Sequence, residues 1–155
     1  MKPVLFCMAA LLLGLNAAPD AVHAQSRPAD RWVWSLYESG GSVVLANEVP
    51  DTTRLRATLE CTPGEGMAVL SLYDPQAKAG FARVTAGTAA GAMEVRAARG
   101  GKVETTLRLD HPVFAAFVAG GELTVATGEH RTEVRAEPEF QGLLRRFGER
   151  CAGSR

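Results

Sequence analysis

This chain has no excess of either charge. Its 155 residues carry 17 lysines and arginines against 17 aspartates and glutamates, so no basic surplus points to nucleic acid or an anionic membrane surface as a partner. Lysine is scarce: Lys2, Lys78 and Lys102 are the only three, and the arginines that supply the other cations are scattered rather than gathered into a stripe. Histidine and cysteine are equally scarce at three each. After the first 15 residues no apolar run approaches the ~20 residues that a membrane-spanning helix needs.

What is present begins with an export pattern. Lys2 forms a short positive region, Val4 to Leu15 is almost uninterrupted apolar chain, and Asn16 to Asp20 turns polar before Val22-His23-Ala24. That order is the three-part layout of a signal peptide, with cleavage expected before Gln25. A retained anchor is the competing reading, and a dozen apolar residues is too short for one. Cys7 leaves with the signal. The expected organisation is a cleaved signal peptide over 1–24, a loose tail over 25–31 and one β-rich domain over 32–155, working in the periplasm or, alternatively, secreted.

The mature body reads as short alternating strands punctuated by glycine. Trp32, Trp34 and Leu36 alternate with Val33, Ser35 and Tyr37, Gly40-Gly41 breaks the run, and Ser42 to Ala46 resumes it as a hairpin. Leu55, Ala57, Leu59 and Cys61 share one strand face, with Arg56, Thr58 and Glu60 on the other, so the cysteine is expected to point into the core. Met67 to Tyr73 is a strongly apolar strand, and Phe81 to Val84 a short one before the small residues of Gly87 to Gly91. Met93 to Ala97 and Val103 to Leu109 make a hairpin about Gly100-Gly101. Asp110 is expected to cap a short helix carrying Phe114, Phe117 and Val118, and Glu122 to Thr127 pairs with Arg131 to Ala136.

At the C-terminus the apolar period changes from two to 3.6. Phe140, Leu143, Leu144, Phe147 and Cys151 form one helical stripe opposite Arg145, Arg146, Glu149 and Arg150. Gly142 and Gly148 each weaken such a helix by about 1 kcal/mol relative to alanine, so it needs docking and a tether. In an oxidising compartment Cys61 and Cys151 are expected to supply that tether as a disulfide. The fold expected is mainly β: an antiparallel sandwich or curled sheet with a short mid-chain helix and a disulfide-tethered C-terminal helix.

Residues that carry chemistry are few and do not converge in the sequence. His111 and His130 each follow a carboxylate, Asp110 and Glu129, and a metal site or small hydrolase built on the two histidines is the alternative functional reading. Their spacing matches no ligand motif, and an N-cap at Asp110 beside a loop histidine and a polar hairpin tip at Glu129-His130 account for them better. Ser39-Gly40-Gly41-Ser42 lacks the nucleophile elbow of a hydrolase. Gly87 to Gly91 lacks the lysine of a phosphate loop, and no cofactor is implied. Glu137 and Glu139 flank Pro138, where they complement a helix N-terminus.

Trp32, Trp34 and Tyr37 are the candidate binding surface, an aromatic platform for a peptide or glycan. The competing reading is that tryptophans paired on a sheet belong to the core. The strand ending Leu59-Glu60-Cys61 and the helix of Phe140, Gly142-Leu143, Phe147 and Cys151 resemble the layout of small bacterial periplasmic proteins of unknown function. More distantly, they resemble the type VI secretion-associated periplasmic proteins of the VasI kind. The resemblance covers residues 55 to 151, and Gly142 follows Phe140 more closely than in that pattern. It implies a two-cysteine β-rich body and carries over no catalytic residue. The expected function is a non-enzymatic periplasmic binding or accessory role, with another envelope protein or a peptide as partner.

Overall fold

The computed structural model describes residues 31–153; the expected signal peptide and residues 25–30 of the expected tail lie outside the described residues. The first two strands are β1 (Val33–Ser39) and β2 (Ser42–Glu48), joined through Gly40 and Gly41. Both glycines have positive φ, +61° and +87°, the geometry of the two-residue turn whose twist matches that of its strands. There follow β3 (Leu55–Cys61), β4 (Met67–Leu72), β5 (Gly80–Ala86), β6 (Ala89–Ala97) and β7 (Val103–Arg108). Helix α1 (Pro112–Gly120), β8 (Glu122–Thr127), β9 (His130–Arg135), a 3-10 turn (Pro138–Phe140) and α2 (Gln141–Ala152) complete the order.

One nine-stranded sheet results, in the order β1-β2-β3-β4-β7-β6-β5-β8-β9. Of the two β architectures expected, the curled sheet is the one formed. Every neighbouring pair is antiparallel, so the two edge strands, eight steps apart, run in the same direction. Leu45, Leu59, Leu70, Val84, Leu107, Leu123 and Val125 are buried; in β3, β5, β7 and β8 they alternate with exposed or half-buried neighbours, while Ala46 and Asn47 of β2 and Ser71 and Leu72 of β4 are buried as well. Phe117 of α1 and Phe147 of α2 are fully buried, and the Phe114 and Phe147 rings meet at 6.5 Å. Burial of such a side chain stabilises by about 1.5–3 kcal/mol, which offsets the weak helix propensity of α2. Among the described residues, no helix is long and apolar enough to cross a membrane.

Cys61, at the end of β3, is joined to Cys151 of α2 with Cα atoms 5.8 Å apart, both residues buried. The Gly64 N–H donates to the Cys151 carbonyl at 3.0 Å. The C-terminal helix is therefore tethered to one end of the β1–β4 half of the sheet, leaving the other strand ends open.

Two local expectations are corrected. The strands expected over Phe81 to Val84 and Met93 to Ala97 are longer: β5 extends to Ala86, only Gly87 and Thr88 turn, and β6 starts at Ala89 among the small residues. Asp110 does not cap α1. His111 does so, its Nδ1 accepting from the Val113 N–H at 3.1 Å, while Asp110 takes the Arg108 guanidinium. Extended backbone at His111 lets its ring nitrogen reach two residues on, as a short polar side chain would. Glu137 and Glu139 do stand at the N-cap and in the first turn of the 3-10 turn that leads into α2, Glu137 without a side-chain capping bond and Glu139 3.9 Å from Arg31.

Candidate functional site

The open strand ends enclose a cleft of about 480 Å³ between the start of β1, the start of β3, the end of β4 and the free edge of β9. The two tryptophans divide between its structure and its lining. Trp34 is buried at 3 % exposure, and its Nε1–H donates to the Arg135 carbonyl at 2.9 Å, bridging the two edges of the sheet. Trp32 is half-buried, with the Arg56 guanidinium 4.0 Å and the Arg54 guanidinium 5.3 Å from its ring centre. Delocalised cations seat well on an indole face and hold it in place. Tyr37 is apart from both: it is half exposed, and its hydroxyl donates to Glu48.

The cleft also contains an organised carboxylate. Asp74 Oδ1 accepts from the Gln76 N–H at 2.9 Å, and Oδ2 accepts from His130 Nε2 at 2.7 Å and Thr132 Oγ1 at 2.8 Å. Partial burial pushes the Asp74 carboxyl up, but the Gln76, His130 and Thr132 hydrogen bonds outweigh it and hold the group below the usual aspartate range. The period-two geometry of β9 places His130 and Thr132 on the face that buries Val134. His130 Nε2 and the Thr132 hydroxyl are both spent on Asp74, so this arrangement fixes a carboxylate and does not prime the hydroxyl as a nucleophile.

His111 and His130 are not brought together. His111 packs against Gly91 of β6, and β5 and β8 lie between β6 and β9. Among the described residues, no three His, Cys, Asp or Glu side chains group as a metal site. A second depression, of about 450 Å³, opens where β6 and β7 part beyond the Val95–Thr105 pair, with His111 and Met93 in its wall.

Searched against protein-family models, curated proteins and solved structures, the chain matches none.

Arg56, Asp74, Arg131 and Thr132 were not singled out by the sequence, although all line the cleft. Alternation along β9 does put His130 and Thr132 on one face. Their partner Asp74, 56 residues earlier, carries no local signal.

Proposed function

We propose that this chain is an exported, non-enzymatic binding or accessory protein of the cell envelope. Its partner, a peptide or another envelope protein, enters the cleft beside Trp32. The observation that carries the reading is the cleft's composition: a fixed carboxylate and a half-buried indole held by arginines line one cleft, at the strand ends that the helices leave uncovered. Polar groups placed at fixed positions around an aromatic wall are what orients a bound ligand. The signal-like first 24 residues and a disulfide that spans 90 positions support an oxidising compartment such as the periplasm.

Affinity capture from periplasmic extract tests the binding role, comparing the wild-type protein with Trp32→Ala and Arg56→Glu. A partner held by the wild type and lost from both variants is expected. Recovery of the same proteins by all three forms counts against the cleft. Export is tested by N-terminal sequencing of the protein from the periplasmic fraction, which should begin at Gln25.

A further inference from the structure

We infer that the cleft receives an extended polypeptide segment, added as a strand on the free edge of β9 and antiparallel to both β9 and β1. This rests on the binding role proposed above and specifies the occupant. The two-residue turn at Gly128 and Glu129 makes Thr127 and His130 a hydrogen-bonded pair. Alternation then commits the backbone groups of His130, Thr132 and Val134 to β8 and turns those of Arg131, Glu133 and Arg135 away from the sheet. The Arg135 carbonyl does face outward, since it accepts from Trp34. All three outward-facing residues line the cleft; Trp34 takes the Arg135 carbonyl, while the Arg131 and Glu133 backbone groups have no partner among the described residues, so a strand edge open to pairing forms one wall of a pocket. Pairing with such an edge gives affinity through the main chain and selectivity through alternate side chains.

The direction follows from the sheet. Because β1 and β9 run the same way, one strand between them can be antiparallel to both. The parting of β6 and β7 offers no such place, because those two strands run oppositely. Charge sets the order of the occupant. Arg56 and Arg131 have no carboxylate in ion-pair contact among the described residues, and Glu137 has no cation. Running antiparallel to β9, a segment places its first residues near Glu137 and its last near Arg131, so it should start basic and end acidic. Charged side chains along β9 also guard the edge against indiscriminate pairing.

The probe is a capped seven-residue peptide of alternating threonine and valine, with lysine first and aspartate last. Its companions are the charge-reversed peptide and a version methylated on alternate backbone nitrogens. Calorimetric titration of the oxidised protein should show the first peptide binding about tenfold more tightly than the reversed one, and the methylated one not at all. The Arg131 and Glu133 amides should exchange hydrogen at least about tenfold more slowly in the complex. Glu133→Pro, which removes an outward N–H and spares the β8 ladder, should abolish binding with the melting temperature little changed. Equal binding of the methylated peptide overturns strand addition and leaves the binding role standing. No binding of any peptide up to about 1 mM, a contact worth less than ~4 kcal/mol, also overturns it, while capture of a partner sensitive to Trp32→Ala would still uphold the broader role.

Discussion

Trp34 makes a bond that no other aromatic of its size could make in its place, because its ring nitrogen reaches the carbonyl of Arg135 across the seam of the sheet. Trp34→Phe keeps much of the apolar burial and leaves that carbonyl without its donor, a cost of about 1–2 kcal/mol. Trp32→Ala, at the rim, should cost less than about 1 kcal/mol. Urea denaturation of the two variants orders them; a costlier Trp32 would refute this division of labour. Asp74 makes the protein sensitive to acid. Its folded pKa is lowered while its unfolded value is about 3.9, so its contribution is complete above the unfolded value and is lost as pH falls through the folded one. Melting temperature should therefore fall more steeply below about pH 4 for the wild type than for Asp74→Asn. Parallel curves would mean that the three hydrogen bonds to this carboxylate contribute nothing to stability.

Helix α2 has room to be improved where its sequence is weakest. A Cβ at Gly148 would stand 3.7 Å from the Phe114 ring and 3.8 Å from Val118, ordinary contact distances. Gly148→Ala should stabilise the protein by about 1 kcal/mol through helix propensity and added packing, read as a raised denaturation midpoint. Gly91 is the opposite case: a Cβ there would come within 2.9 Å of the His111 ring, which is held by its cap bond to Val113. Gly91→Ala should cost about 1–2 kcal/mol. His111→Ala loses the cap, at about 1 kcal/mol, and clears the space, so the double variant should be less destabilised than the sum of the two. Strict additivity would show that the ring and the strand are uncoupled. These elements differ in how legible they were. The stripe of α2 and the hairpin of β1 and β2 declare themselves by period and by paired glycines. Residues 86 to 92 hide a turn and a strand, because alanine and glycine carry too little contrast to show alternation, and the need for a small residue at Gly91 comes from a ring 20 positions later.

Across the whole molecule, local pattern identified the β content, the terminal helix and the cysteine pair, but it could not order the sheet. Placing β7 beside β4 and β5 beside β8 is a choice among long-range pairings, and the cleft is a product of it: Arg56, Asp74 and Arg131 meet only after β9 has curled round toward β1. The disulfide acts on the same scale. It joins the first half of the sheet to the last helix and closes a loop of 90 residues, for which chain entropy gives about 4–5 kcal/mol before any native strain. That is a large share of the roughly 5–15 kcal/mol that holds a domain of this size together. Reduction, or Cys151→Ser, should lower the melting temperature by on the order of 10 °C, given a few degrees for each kcal/mol. Because Leu144 and Phe147 lose their tether but not their apolar face, α2 should be the first element to gain fast amide exchange. The cleft lies at the opposite strand ends, so the exchange of Thr132 and Val134 should change least below the new midpoint. An unchanged melting curve after complete reduction would refute this account and leave α2 held by packing alone.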